Sequence, residues 1–292
     1  ESIWIADATS SFVELPQIDG EMKGTASLQG PVDELTGEIE LQLREVEIFG
    51  EPFPVGHARA SMRDGHFTLS ELLVKRSGGA EALLGRGSVG AGYATNVEFV
   101  SDGLRLESLA AVERAGWPLS GPLVGDLTLG GTLMDMTFDG QVSASGTHYG
   151  DGRVGSSVVR FRPEGGQTVF DGELLGGSVA MTGHYDWEAD TYGFDGVLTE
   201  VPIQWLHPNL TAGTSLRGHI DGQVGVYGAL EGSPDFGLDL SRVELIWGAH
   251  ALRNAKPWRI DRAGNRVQLR GISLADEDGL VSVEGGSVDG DL

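Results

Sequence analysis

Apolar residues alternate with polar ones in segment after segment of this chain. In TGEIELQLRE, for example, Ile39, Leu41 and Leu43 are separated by Glu40 and Gln42. A period of two places every second side chain on the same face, which is the pattern of a half-buried β-strand. The sequence therefore predicts an all-β protein, with a long antiparallel sheet of many short strands.

The alternation also predicts which residues share the apolar inner face. One step in register would exchange the two faces of a strand, so the assignment depends on strand pairing. The predicted inner-face residues are Ile39, Leu41, Leu43, Phe67, Leu69, Val97, Phe99, Leu127, Leu129, Val179, Met181, Tyr192, Phe194, Val224, Val226, Phe236, Leu238, Leu240, Leu245, Trp247, Val267, Leu269, Val281 and Val283.

Ten Asp-Gly dipeptides punctuate the chain, from Asp19-Gly20 to Asp289-Gly290. Asp-Gly readily adopts the positive φ angles of tight hairpin turns, so most of these dipeptides are predicted to be turns. Some, such as Asp171-Gly172, are interpreted as kinks within a strand. Two short segments, 104–114 and 203–210, are predicted to be a short helix or turn.

A long internal repeat accompanies the alternation. A Gly-x5-Gly frame begins at Gly24, Gly125 and Gly222, and an apolar-x-apolar pattern begins 21 residues before each frame, at Ile3, Leu104 and Val201. We call these two patterns the anchors of a repeat. Because they recur three times with the same separation between them, they indicate repeated units. We predict units 1–101, 102–198 and 199–292, forming one continuous rod that is a fragment of a longer array.

Composition excludes several functions. With 43 Asp and Glu against 20 Lys and Arg, the formal charge is −23, which disfavours binding to nucleic acid. The chain has no cysteine, so disulfides, thiol catalysis and Cys-based zinc sites are excluded. No apolar run approaches the roughly 20 residues of a membrane-spanning helix.

No catalytic constellation emerges, and we predict neither an enzyme nor a cofactor or metal. The seven histidines show no metal-ligand spacing. Three alternating carboxylates at Asp186, Glu188 and Asp190 would suit calcium only if a loop turned them inward, and a solvated hairpin tip is the preferred interpretation. The glycine-rich 85–92 stretch lacks the Lys-Ser/Thr of a phosphate-binding loop.

One basic stretch stands out in the acidic chain. Six of its twenty cations lie within eighteen positions, and they are Arg253, Lys256, Arg259, Arg262, Arg266 and Arg270. A solvated loop or a protected edge strand is the preferred interpretation. Contact with anionic headgroups or with a partner is the alternative.

The apolar stripe must be covered, because each buried Val, Leu or Phe contributes about 1.5–3 kcal/mol. A second sheet, closure into a barrel or a sheet folded lengthwise would each cover it. Many inner positions are Val, Ala or Gly, which favours a sheet folded lengthwise around an incompletely filled, taco-like groove. A dry, packed β-solenoid remains the alternative.

The run PLSGPLVGDLTLGGTLMDMTFDGQVSASG (118–146) resembles the repeat of the AsmA-like superfamily, especially its TamB branch. The pattern recurs in SLRGHIDGQVGVYGALEGSPDFGLDLS (215–241) and, less well, in ELPQIDGEMKGTASLQGPVDELTGEIEL (14–41). The resemblance implies a long periplasmic rod of a diderm bacterium, anchored in the inner membrane and reaching the outer membrane. It also implies a taco-like sheet with a lipid groove, and an outer-membrane barrel protein as a possible partner. The anchor and the partner-binding domain would lie in other parts of the parent protein.

The leading hypothesis is therefore a segment of a bridge that carries phospholipid between the two membranes, with the acyl chains in the apolar groove and no catalysis. A chaperone-like scaffold that holds unfolded β-segments by strand addition is a second hypothesis. A repetitive adhesin or stalk with a dry core is the third.

Overall fold

The computed structural model describes most of the chain. The described residues are 2–4, 18–30, 36–48, 51–64, 66–77, 81–90, 94–114, 116–132, 135–205, 216–229, 234–276, 279–283 and 286–289. Residues Ile5 and Ala8 of the first repeat anchor, and residues 206–210 of the second predicted helix or turn, lie outside them.

Strands make up most of the described residues. In chain order they are β1 (Ser2–Trp4), β2 (Ile18–Gln29), β3 (Thr36–Ile48), β4 (Glu51–Arg63), β5 (His66–Lys75), β6 (Ala82–Val89), β7 (Thr95–Asp102), β8 (Leu119–Ser120), β9 (Leu123–Thr132), β10 (Asp135–Tyr149), β11 (Gly152–Glu164), β12 (Gln167–Leu174), β13 (Val179–Asp186), β14 (Thr191–Pro202), β15 (Arg217–Ala229), β16 (Asp235–Trp247), β17 (His250–Arg253), β18 (Trp258–Ala263), β19 (Arg266–Arg270), β20 (Ile272–Ala275), β21 (Leu280–Val283) and β22 (Gly286–Asp289).

Two compact units divide the chain. The first comprises residues 1–150 and 160–168, and the second comprises residues 151–159 and 169–292. In the first unit, each strand from β1 to β6 pairs with the next, β7 then pairs with β9, and β9 pairs with β10. In the second unit, β13, β14, β15 and β16 pair in order, followed by β18 and β19.

These pairings are all antiparallel, so the predicted all-β, antiparallel fold is confirmed. Within each unit, each described strand pairs with its neighbours in the sheet. The sheet stays open and does not close into a barrel. An open antiparallel sheet has two distinct faces, and strand register decides which side chains share each of them.

Several strands contain β-bulges, which bend the sheet and reset the alternation. Register shifts occur at Glu45 in β3, opposite Gly20 of β2, and between Leu198 and Val201 in β14. Glu45 and Glu200 adopt positive φ angles of 51° and 48°, a conformation that marks strained turn or bulge positions in non-glycine residues. After each bulge, the inner-face residues change from odd-numbered to even-numbered positions, or from even-numbered to odd-numbered ones.

The best-packed cores lie beside these bulges. In the first unit the core comprises Leu43, Val46, Phe53, Ala58 and Val74. In the second unit it comprises Leu198, Val201, Ile203, Ile220, Leu240 and Val243. A bend brings side chains from both sides of a bulge together, which explains why Val46, Val201 and Val243 are among the most buried residues.

The Asp-Gly prediction is only partly correct. Asp64 lies in the turn that follows β4, and Asp102-Gly103 marks the end of β7. Asp171-Gly172 lies within β12, as its interpretation as a kink requires. Four dipeptides expected to be turns lie instead inside strands, and they are Asp19-Gly20, Asp139-Gly140, Asp195-Gly196 and Asp221-Gly222. There the glycine allows close approach of a neighbouring strand: a Cβ on Gly222 would lie 2.3 Å from the Asp239 carbonyl oxygen.

The first predicted helix or turn is confirmed, and so is the start of the second. The segment after β7 forms a 3₁₀ turn at Leu106–Ser108, followed by helix α1 (Ala110–Arg114). A further 3₁₀ turn at Ile203–Trp205 follows β14. The three glycine frames begin in β2, β9 and β15, each time on the inner face. The division into three repeat units stays a prediction.

Candidate functional site: the apolar faces

In the first unit, strand register aligns the predicted inner-face residues into rows that cross many strands. One such row runs from Leu69 through Gly87 and Val97 to Leu129 and Phe138. A parallel row joins Gly85, Phe99, Leu127 and Gly140. Directly opposed residues in adjacent strands lie on the same face, so these rows form a continuous apolar surface.

The large side chains of this surface are not fully covered. Phe67, Leu69, Phe99, Leu127 and Leu129 are all half-buried. Leu28, on the same face at the end of β2, is 38% exposed. Glycines alternate with these residues, and the space at Gly85 is occupied by the Leu72 and Phe99 side chains, which a Cβ there would approach to 3.2 Å. The face therefore offers apolar contact area to a ligand without rearrangement of the backbone.

The second unit repeats the arrangement. Met181, Gly196, Val224 and Leu238 form one row, and Gly183, Phe194, Val226 and Phe236 form the next. The second of these rows continues onto β18 and β19, where Val267 is located. Phe170 of β12 fills the space above Gly183, since a Cβ there would lie 2.4 Å from its ring.

The structure places nearly all of the predicted inner-face residues on these two faces. Ile39, Leu41, Leu43, Phe67, Leu69, Val97, Phe99, Leu127 and Leu129 lie on the first, and Val179, Met181, Tyr192, Phe194, Val224, Val226, Phe236, Leu238, Leu240, Leu245, Trp247, Val267 and Leu269 lie on the second. Val281 and Val283 pair in β21 with Leu274 and Ile272 of β20.

Their exposure divides them into three groups. Leu43, Val97 and Leu240 are at least 92% covered by their own unit, so they belong to its packed interior. Trp247, at the end of β16, is 62% exposed. Most of the others are half-buried and are the residues that a ligand on the face would contact.

The predicted inner-face set omitted part of the apolar face. Phe53, Leu72, Val74 and Ile220 lie on it. Leu72 and Val74 follow a register shift after Leu69 in β5, which changes the parity of the alternation. Ile220 continues the alternation of Val224 and Val226 in β15, so the sequence pattern was sufficient to identify it.

A buried polar network fixes the connection 104–117 of the first unit to the sheet. Arg76, with a 10% exposed side chain, pairs with the carboxylate of Glu51 and donates to the carbonyl oxygen of Ser108. Glu51 Oε2 also accepts the Ala110 N–H at the start of α1, at 2.9 Å. Ser108 Oγ donates to Glu81 at 2.6 Å. Four residues far apart in sequence thus hold the connection against the strand ends.

The opposite face of the second unit is polar and carries paired charges. Glu244 accepts from Arg242 at 2.9 Å and from Arg253 at 3.0 Å, and these hydrogen bonds lower the pKa of its carboxyl. Arg259 donates to Asp261 at 3.0 Å and lies 3.8 Å from Asp239. Part of the predicted basic stretch therefore lies in paired strands between acidic residues, not in a loop or on an edge strand.

Two concavities adjoin polar residues of the two units. One of about 500 Å³ lies on the polar face of the second unit, next to Asp195, Gln223, Tyr227 and Asp239. Tyr227 donates to Asp195 at 2.8 Å, which raises the pKa of the phenol. Another of about 490 Å³ adjoins Arg76 in the first unit.

The alternating carboxylates of Asp186, Glu188 and Asp190 lie at a hairpin tip, as the preferred interpretation of the sequence predicted. β13 ends at Asp186 and β14 begins at Thr191. The Asp186 carboxylate accepts the backbone N–H groups of Glu188 and Ala189, as in a local turn. Burial, followed by its hydrogen bond to Asp190, raises the pKa of Tyr185. Among the described residues, no group of three or more His, Asp or Glu side chains is placed to hold a metal ion.

Comparison with known proteins adds no relative. No family model, curated protein or solved structure matches the chain. Within the part of the chain that the structure describes, no helix has the length and apolar character needed to cross a membrane.

Proposed function

We propose that the chain is a segment of a carrier that moves phospholipid between membranes by sheltering acyl chains on its apolar sheet faces. The supporting observation is the alignment of apolar residues across successive strands, as in the row from Leu69 to Phe138, where Leu69, Leu129 and Phe138 are half-buried. The resemblance to the AsmA-like superfamily supports a periplasmic location between the inner and outer membranes, and an outer-membrane barrel protein as a partner.

The physical basis of the proposed activity is partition, without catalysis. Exposure of an acyl chain to water costs about 0.8 kcal/mol per CH₂ group. A continuous apolar surface removes most of that cost, while an open edge leaves the polar headgroup in water. Such a surface is passive, so the direction of transport would depend on an energy source outside this chain.

Photo-crosslinking tests the proposal directly. A photoreactive amino acid replaces Leu127, whose side chain belongs to the apolar face, and a control replaces its neighbour Asp126 on the opposite face. After irradiation in cells, mass spectrometry identifies the adducts. The proposal predicts acyl-chain adducts at position 127 and none at position 126.

Two other outcomes would support the rival hypotheses. Polypeptide adducts at position 127 would favour a chaperone-like scaffold that binds unfolded β-segments. The absence of any adduct at position 127, with the variant folded, would favour a dry stalk and contradict the proposal.

A further inference from the structure

One arginine lies on the apolar face of the second unit. Arg262 of β18 is opposite Phe236 of β16 on one side and Val267 of β19 on the other. Ile260, two residues before Arg262 in β18, lies between Leu238 of β16 and Leu269 of β19. Direct opposition places Arg262 on the same face as these apolar residues.

Arg262 is an exception on this face. The described inner-face positions of β13–β16, β18 and β19 hold apolar residues, Tyr or Gly, apart from Arg262. The neighbouring charges of β18, at Arg259 and Asp261, alternate with it and lie on the polar face. A half-buried cation among apolar side chains loses hydration, which is unfavourable unless an anion compensates it.

The protein does not supply that anion among the residues described. Arg259 and Arg253 each pair with a carboxylate. Arg262 donates only through Nε, at 3.0 Å, to the carbonyl oxygen of Gly264 in the β18–β19 turn. The nearby Asp235 carboxylate accepts the Gly264 N–H at 2.7 Å. The remaining N–H groups of the guanidinium, which suit a phosphate, are therefore left for a ligand.

We propose that Arg262 binds the phosphate of a phospholipid whose acyl chain lies on the adjacent apolar rows. Three successive rows along β18, at Arg262, Ile260 and Trp258, span about 13 Å. The ligand thus has a charged end beside the β18–β19 turn and an apolar body directed towards the packed core. This inference rests on the proposed function and adds the headgroup chemistry that the site recognises.

Binding of two matched lipids tests the inference. Phosphatidylethanolamine and diacylglycerol with identical, fluorescently labelled acyl chains differ only in the headgroup. For the wild-type chain, phosphatidylethanolamine is expected to bind about tenfold more tightly than diacylglycerol. Arg262→Gln should abolish that difference by weakening phosphatidylethanolamine alone, by about tenfold, which corresponds to about 1.4 kcal/mol.

Arg259→Gln is the matched control, because it removes a cation from the same strand but from the polar face. It should leave both affinities unchanged. Arg262→Lys should restore part of the preference, since an ammonium keeps the charge but not the planar donor pair. Far-ultraviolet circular dichroism and the melting temperature establish that every variant is folded.

The outcomes separate the two proposals. Equal binding of both lipids, unchanged in Arg262→Gln, would overturn the role of Arg262 and leave the carrier function standing. Binding of neither lipid by the wild-type chain would overturn both. Inorganic phosphate that binds wild type but not Arg262→Gln, without any preference between the lipids, would identify a free-anion site and contradict the inference.

Discussion

At the scale of single residues, glycines determine how closely the strands approach. Gly140 lies inside β10 with φ of +139°, and a Cβ there would lie 2.1 Å from the carbonyl oxygen of Asp126 in β9. Neither the backbone conformation nor the spacing accommodates a side chain. The glycine abundance of the sequence thus reflects sheet geometry as well as turns.

Gly140→Ala should therefore destabilise the first unit by about 1–3 kcal/mol or more, through backbone strain and displacement of β9. Gly130→Ala is the control, because its Cβ would have no neighbour closer than 3.7 Å. The control should change stability by no more than about 0.5 kcal/mol. Urea unfolding followed by circular dichroism measures both, and equal stability of the two variants would contradict the assigned strand geometry.

Arg76 acts at the same scale but joins several elements. Arg76→Met removes the cation that pairs with the mostly buried carboxylates of Glu51 and Glu81. Loss of one partner from a buried ion pair costs about 3–5 kcal/mol. The expected result is lower stability of the first unit and faster amide hydrogen exchange over residues 106–114.

Arg86→Met provides the comparison, because Arg86 and Glu98 form an ion pair whose side chains are 76% and 50% exposed. Its loss should cost less than about 1 kcal/mol and leave exchange in residues 106–114 unchanged. Unchanged exchange in Arg76→Met would show that the network does not hold the connection.

At the scale of elements, charge pairs link neighbouring strands on the polar face. Glu244 of β16 is held by Arg242 of the same strand and Arg253 of β17, and its pKa lies below the usual range. A carboxyl with a depressed pKa stabilises the folded state above its unfolded pKa, and that contribution is lost as the pH falls through the folded pKa.

Glu244→Gln should therefore lower the melting temperature at pH 6–7 and lose this effect progressively below about pH 4. Glu188→Gln, at the exposed tip of the β13–β14 hairpin, is the control and should follow the wild type throughout. If the melting temperature of Glu244→Gln stayed equally far below that of the wild type at pH 3, an ionic contribution of Glu244 would be excluded.

The elements also show how far sequence reasoning reaches. Alternation predicted the strands and their inner faces, because period two is a direct consequence of extended backbone. It did not predict that Val46 and Val201 continue those faces, because the bulges at Glu45 and between Leu198 and Val201 shift the parity. The Asp-Gly signal also wrongly predicted turns at dipeptides such as Asp139-Gly140. The same dipeptide occurs in hairpin turns and inside strands where a neighbouring strand approaches closely, so the sequence does not distinguish the two.

At the scale of the whole molecule, the proposed function depends on contacts that join distant parts of the sequence. The sequence showed Arg262 as one of six cations, and only the pairing of β16, β18 and β19 separates it from the arginines of the polar face. The network of Glu51, Arg76, Glu81 and Ser108 likewise has no local signature. Resemblance to a family of lipid-transfer proteins supplies the proposed cargo, and the apolar faces supply its physical basis.

The central claim is that the apolar faces accept acyl chains, and the lipid content of the protein tests it most directly. The purified chain is incubated with phosphatidylethanolamine vesicles, separated from them, and its bound lipid is quantified by mass spectrometry. The account predicts at least one phospholipid per chain, and a clear reduction in Leu127→Asp with the fold retained. A folded wild-type chain that carries no lipid after this treatment would contradict it.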